Sequence, residues 1–333
     1  MTTKYLNNKI NNNNILNNLK MFNLTIITEF DEDEFIANEQ HMREILEEER
    51  LGDFNEPTLM QLTEEDIFTD EIRNEIFITK GGFGSVSRAE YGEGNTCVVK
   101  TILVGDGLKE ASKLKELDGI IPAFLGYQEE GNTVKIYMEK CDGSVDDLIK
   151  SGYFEGNDER KMDFVQQVFV LTQTLKESNF AHCDFKAGNI GYIQTGEGIV
   201  YKLLDFGSAC KLNDDGQGKA GLTTMDFKAP ERIAITSVVY DGHKLDIYAI
   251  GGMIFNLETG EMPMDNVRQL NPGRTADIIA DRIEMKLFDY SENHTCHNIP
   301  ANIPEPMKNI IRDCWESDPA VRKSAEQMLA YHF

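Results

Sequence analysis

Positive charge is scarce in this chain: 33 Lys and Arg stand against 57 Asp and Glu over 333 residues, a formal net charge of −24. A surface that holds nucleic-acid phosphates needs clustered Lys and Arg, so the balance argues against a nucleic-acid-binding protein. It allows attraction to basic partners and otherwise keeps a chain in solution. Cysteine is sparse as well. The six present (Cys97, Cys141, Cys183, Cys210, Cys296 and Cys314) contain no C-x-x-C pair and no regular framework. That excludes a disulfide scaffold and points to reduced thiols in an intracellular, cytoplasmic setting, with the nucleus left open. His294-Thr295-Cys296-His297 has no second ligand pair at zinc spacing and reads as a polar loop. Long apolar runs are missing too. The opening stretch is polar, and Ile247 to Leu257 is too short to cross a bilayer, so neither a signal peptide nor a membrane span is expected. Hydrophobic residues still make up 41% of the chain, enough for a substantial core in one large domain with an appendage.

The appendage is residues 1–73. Its first part, to about residue 30, is Asn-rich (Asn7-Asn8, Asn11 to Asn14, Asn17-Asn18), with too few apolar groups to offset ordering entropy. Acidic residues dominate from Asp31 to Glu71; Met42, Ile45 and Leu46 are spaced for one side of a short helix, and Thr63-Glu64-Glu65-Asp66 has the form of a capping box. The extension is expected to be largely disordered, a solvated and partly helical tail, rather than an arm docked on the following domain. It is expected to be dispensable for chemistry.

From Asn74 the pattern changes. Ile76 to Ile78, Ser85 to Ala89 and Thr96 to Ile102 have the short β-rich form of a sheet whose first turn is Gly-rich. Leu108 to Leu117, without glycine or proline, predicts a helix, and Ile136 to Glu139 a further strand. After Gly143 helical spacing takes over; Phe164, Val165, Val168, Leu171 and Leu175 fall on one face of an amphipathic helix.

That helix leads into His182-Cys183-Asp184-Phe185-Lys186-Ala187-Gly188-Asn189, followed by Leu203-Leu204-Asp205-Phe206-Gly207. The spacing sets a carboxylate, a cation and two oxygen-bearing side chains on adjacent loops. It resembles the catalytic loop and D-F-G segment of eukaryotic protein kinases, with Cys183 in place of the usual Arg. Phosphoryl transfer needs an in-line hydroxyl, cations on the phosphate oxygens and rigid positioning. The resemblance implies that Asp184 orients the attacking hydroxyl, Lys186 reaches the γ-phosphate of ATP, and Asn189 and Asp205 hold Mg²⁺, a hard cation suited to oxygen ligands.

Other segments follow in the family's order. Thr79-Lys80-Gly81-Gly82-Phe83-Gly84-Ser85-Val86 resembles the phosphate-covering loop, with Thr79 for its first glycine; Gly81, Gly82, Phe83, Gly84 and Val86 are the implied nucleotide contacts. Val98-Val99-Lys100 matches the strand lysine, with Val98 in the adenine pocket. Glu110 is the implied ion-pair partner of Lys100, sharing a helix face with Leu114; Glu116 is the runner-up. The short interval between Lys100 and Glu110 implies a helix that has lost a turn. Met138, Glu139 and Cys141 fall at the back of the pocket and in the hinge. Thr223 to Glu231 matches the T-x-x-Y-x-A-P-E segment with Phe227 for Tyr, Asp246 to Gly251 the buried central helix, and Arg322 the partner of Glu231.

The resemblance implies an α+β, two-lobed protein kinase-like fold over residues 74–333, with a β-rich small lobe at about 74–141 and a mainly helical large lobe at about 142–333. The expected activity is Mg²⁺- and ATP-dependent phosphorylation of Ser or Thr in a protein substrate, for which a basic sequence is compatible with the charge. The alternative is a catalytically weak or inactive pseudokinase acting as a scaffold, toward which Thr79, Val98, Cys183 and the short helix are departures. No departure removes a phosphate, metal or base group. A kinase of small metabolites is disfavoured by the A-P-E and central-helix motifs. Neither oligomeric state nor pathway is legible.

Overall fold

In the computed structural model, the described residues are 57–81, 84–117, 119–221, 223–233, 239–293 and 297–333. The Asn-rich stretch, the Met42 to Leu46 helix, Gly82, Phe83 and the His294 to Cys296 part of the polar loop lie outside them.

Alternation of side chains builds the small lobe. Strands β1 (Ile72–Gly81), β2 (Gly84–Tyr91), β3 (Asn95–Leu103), β4 (Phe124–Glu130) and β5 (Thr133–Glu139) form one antiparallel sheet in the order β1-β2-β3-β5-β4. On β3, Cys97 and Val99 point to one face and join Ala89 and Tyr137 in a small core. Ile102 points to the other face, where Val134 and Ile136 of β5 meet helix α1 (Val104–Lys115). Gly107, Glu110, Ala111 and Leu114 are buried on that helix, the i, i+3, i+4, i+7 spacing of one face.

Helix α1 starts four residues before the predicted Leu108 and follows β3 without a loop. The early start runs through Gly105 and Gly107, which propensity disfavours. Close approach explains it: a Cβ on Gly107 would lie 2.7 Å from Val134 Cβ, so only glycine lets the first turn lie this close to β5.

The large lobe begins with β6 (Gly143–Ser144), α2 (Val145–Lys150) and α3 (Asp158–Glu177), the last burying Phe164, Val165, Val168, Leu171 and Leu175. Strand β7 (Phe180–Ala181) precedes the candidate catalytic loop; β8 (Ile190–Thr195) and β9 (Gly198–Leu203) pair behind it, with β6 on the edge. Two short ladders, β7 with β10 (Cys210–Lys211) and β11 (Gln217–Gly218) with β12 (Tyr240–Asp241), tie the segment after Asp205 to the lobe. Helix α4 (Gly242–Thr259) runs through the core with Ile247, Ile250, Met253 and Ile254 fully buried. Its apolar run is therefore a core helix, and no described helix is long and apolar enough to cross a membrane. Helices α5 (Asp265–Gln269), α6 (Ala276–Asn293), α7 (Glu305–Cys314) and α8 (Ala325–His332) complete the lobe.

The last part of the supposed tail departs from expectation. Residues 57–71 precede or reach the edge of β1, yet Phe68 is buried, and Thr63 to Asp66 forms a single 3-10 turn closed by the Asp66 carboxylate on Thr63 N–H at 2.6 Å. No helix propagates from it, because Ile67 turns into a parallel bridge with Tyr127 of β4.

Candidate active site

Helix α4 fixes the backbone of the candidate catalytic loop. Asp246 accepts from the N–H groups of His182 and Cys183, both at 2.7 Å, and burial pushes its carboxyl up to about 7 against the pull of those two donors. An Asp immediately before the apolar run Ile247 to Leu257 is the sequence signal for this anchor. His182 is fully buried; burial keeps its imidazole below the usual range, and its Nε2 donates to Leu204 O at 2.8 Å. The two loops are thus stitched at the residues that precede Asp184 and Asp205. Cys183 and Asp205 both adopt left-handed backbone (φ 63° and 57°), a conformation non-glycine residues disfavour and functional loops concentrate.

Around Asp184 the polar groups converge. Its Oδ2 accepts from Lys186 Nζ at 2.7 Å and from Asn189 Nδ2 at 3.0 Å, while Oδ1 accepts from Thr224 N–H at 2.7 Å. Lys186 Nζ also donates to Thr224 Oγ1 at 3.0 Å, and Asn189 Nδ2 to Asp184 O at 2.9 Å. The end of the activation segment is thereby joined to the catalytic loop through Thr224.

The second cluster centres on Lys100. Its ammonium donates to Glu110 Oε1 at 2.6 Å and to Asp205 Oδ1 at 2.8 Å. Burial alone would depress the lysine, but the two carboxylates outweigh it and hold it above its usual value. Burial raises Asp205 in turn, and the Lys100 charge and hydrogen bond overcome this to leave it below the usual carboxylate range. Glu110 is more deeply buried and stays raised. Glu116, the runner-up partner, points elsewhere: its carboxylate takes Met60 N–H and Lys211 Nζ.

Of the remaining candidates, Val86 stands opposite Lys100 across the β2–β3 ladder and Val98 stands opposite Met138 across β3–β5. Gly81 and Gly84 pair at the mouth of the β1–β2 hairpin. Glu139, at the end of β5, donates its N–H to Ala123 O at 2.9 Å. The Cys141 thiol lies against Gly191 of β8, and burial with Glu139 and Asp142 nearby pushes it up to about 11. Sequence reading missed Lys113, which donates to Phe206 O at 3.1 Å and so ties α1 to the Asp205-Phe206-Gly207 segment. The five described cysteines are free thiols. Arg322 is fully buried and grips Glu231 with both terminal nitrogens, at 2.7 and 3.0 Å.

A two-lobed fold, a five-stranded sheet with a buried Lys–Glu pair and an Asp–Lys–Asn–Thr cluster below it define a phosphotransferase class. The chain belongs to the protein kinase family: the model of the protein kinase domain matches residues 73–333. It is similar to the cytokinesis protein sepH of Aspergillus terreus, at 28% identity over 76% of this chain and 18% of that protein. It is also similar to mouse mitogen-activated protein kinase kinase kinase 4 (26%, over 67% of this chain and 13% of that protein). A third relative is serine/threonine-protein kinase dst2 of Dictyostelium discoideum (26%, over 77% and 22%). The matched region is therefore less than a quarter of each of these relatives.

Proposed function

We propose that the chain is an active protein kinase that transfers the γ-phosphoryl group of ATP to Ser or Thr hydroxyls of protein substrates and requires Mg²⁺. The observation that carries this reading is the anchoring of Asp184 on both oxygens by Lys186, Asn189 and Thr224. Such preorganisation suits a carboxylate that must hold a hydroxyl in line rather than perform covalent chemistry. The hydroxyl oxygen forms a bond to the γ-phosphorus as the bridging P–O bond breaks and ADP leaves; the hydroxyl proton passes to Asp184. Lys186 neutralises the phosphoryl oxygens, and its bond to Thr224 Oγ1 frames a site for an aliphatic hydroxyl. Lys100, held by Glu110, meets the α- and β-phosphates.

Asn189 spends its amide nitrogen on Asp184, which leaves its amide oxygen as the donor, and Asp205 carries a carboxylate with depressed basicity. Hard oxygen donors of this kind fit Mg²⁺, which when bound supplies charge neutralisation at the phosphate oxygens. Serine/threonine specificity is supported by the name of the dst2 relative as well as by Lys186 and Thr224. The acidic balance of the chain favours a basic acceptor. The test is turnover of Mg-ATP with a basic protein acceptor, followed by phosphoamino-acid analysis. Phosphoserine or phosphothreonine is expected; ATP binding without transfer would identify a scaffold, and phosphotyrosine alone would overturn the specificity.

A further inference from the structure

Residues 57–68 lie before the matched kinase domain and yet form a strap built into the small lobe. Both sides of the contact are specified. Phe68 N–H donates to Tyr127 O at 2.9 Å, and its ring stacks on Tyr137 with centroids 4.1 Å apart. Opposite the strap, β4 carries Gly126 at φ 136°; a Cβ there would sit 2.7 Å from Asp66 O and 3.0 Å from Phe68 N. Leu59 and Leu62 turn inward against the main core.

The strap also closes on the C-terminal end of α1. Lys115 Nζ donates to Asp66 Oδ2 at 2.7 Å and to Gln61 O at 3.3 Å. The next residue, Glu116, joins three parts of the molecule: Oε1 accepts from Met60 N–H of the strap at 2.7 Å, and Oε2 accepts from Lys211 Nζ on β10. Lys211 completes the ring by donating to Thr58 O at 3.0 Å. Because α1 carries Glu110 and β10 follows Phe206 by four residues, this junction connects the helix that presents Glu110 to the segment that presents Asp205.

We infer that Glu116, with Lys211 and the strap, is a positioning residue for the Lys100–Glu110 pair, so that the catalytic unit extends back to about residue 57. Partly exposed ion pairs contribute little to global stability. The use of this junction is therefore to select one orientation of α1, not to hold the fold. The inference rests on the kinase reading for its effect on turnover and on geometry alone for its effect on the helix.

The test uses the full chain as wild type, Glu116→Ala, Lys211→Met, Glu110→Gln and Glu116→Ala/Glu110→Gln. Amide exchange over residues 104–117, kcat, KM for ATP and the thermal midpoint are measured on each. Glu116→Ala and Lys211→Met should raise exchange in that helix and lower kcat by about tenfold, the scale of coupling through a repositioned element. The midpoint should stay near that of wild type. In the Glu110→Gln background Glu116→Ala should cost no further activity, since the pair it positions is already broken. Unchanged exchange, or an equal loss of kcat in both backgrounds, overturns the inference. Absence of transfer by wild type would instead defeat the kinase reading, and helix exchange would still decide the role of Glu116.

Discussion

Lys100 shows how much one side chain depends on its neighbours. A buried ammonium is costly unless paired, and here two carboxylates within 2.8 Å hold it charged. Lys100→Met should therefore reduce kcat/KM by about a hundredfold or more while the small lobe still folds, because the methionine fills the same space without a charge. Glu110→Gln should lower kcat sharply as well, since the lysine loses its anchor and is drawn to Asp205 alone. Steady-state kinetics with circular dichroism as a folding control checks both. At this scale the sequence was informative where spacing is local: Asp184, Lys186 and Asn189 lie within six residues and converge on one carboxylate. Lys113 and Asp246 were not assigned roles, because a bond from Lys113 to the Phe206 carbonyl, 93 positions away, or from Asp246 to backbone 63 positions away, leaves no periodic trace.

Among the elements, the activation segment is held by contacts other than the usual Arg. Cys183 is buried, with its Sγ 3.6 Å from Cys210 Sγ; that contact and burial raise its thiol well above the usual value, so it offers no charge to a phosphate. The segment is already ordered by β7–β10 pairing and by Thr224 on Asp184. Phosphatase treatment verified by mass spectrometry should thus leave kcat/KM within about tenfold, or ~1.4 kcal/mol. A larger fall would show that another cation receives a phosphate. Helix α4 carries a pH signature of its own. Burial, with Lys176 and Lys244 nearby, depresses His243 to about 4. Below the unfolded value near ~6.5 the unfolded chain binds a proton that the folded chain refuses, so stability falls as pH drops from there toward 4. Asp246 acts in the opposite sense, its raised carboxyl favouring the fold at lower pH, but it does so equally in a His243→Gln variant. The difference in denaturant stability between wild type and His243→Gln should accordingly shift against wild type by up to about 3 kcal/mol between pH 7 and 4. A pH-independent difference would contradict the burial of a neutral imidazole. Helix α1 illustrates the limit of pattern reading: its core face was legible from Glu110 and Leu114, whereas its start was hidden by Gly105 and Gly107, of which Gly107 lies in close approach to Val134 of β5.

On the scale of the whole molecule, the β runs and the helical spacing after Gly143 marked a β-rich part followed by a helical one, and the resemblance to protein kinases made these two lobes. The strap was not legible, because its acidic composition matches that of a solvated tail and its partners, Gly126, Tyr127, Tyr137 and Lys211, are distant in sequence. The large lobe is closed by Arg322, which binds Glu231, Lys244 O and Glu316 O with no exposed guanidinium surface. Arg322→Met leaves the Glu231 carboxylate and the carbonyls of Lys244, Glu316 and Ser317 without this donor, and should lower unfolding free energy by about 3–5 kcal/mol, seen as an earlier denaturant midpoint. A loss under about 1 kcal/mol would mean that the pair is neutral to stability.

Phosphoryl transfer by the purified full chain, compared directly between wild type and Asp184→Asn with ATP binding measured in parallel, bears most closely on the proposed chemistry. Wild type should phosphorylate Ser or Thr of a basic acceptor in the presence of Mg²⁺. Asp184→Asn should bind ATP normally and lose about 10²–10³-fold or more in kcat, since on the proposed mechanism it removes the group that holds the hydroxyl in line. Equal turnover by the two proteins, with contaminating kinase excluded, or no turnover by a wild type that binds ATP, would contradict the assignment of Asp184 and with it the enzyme.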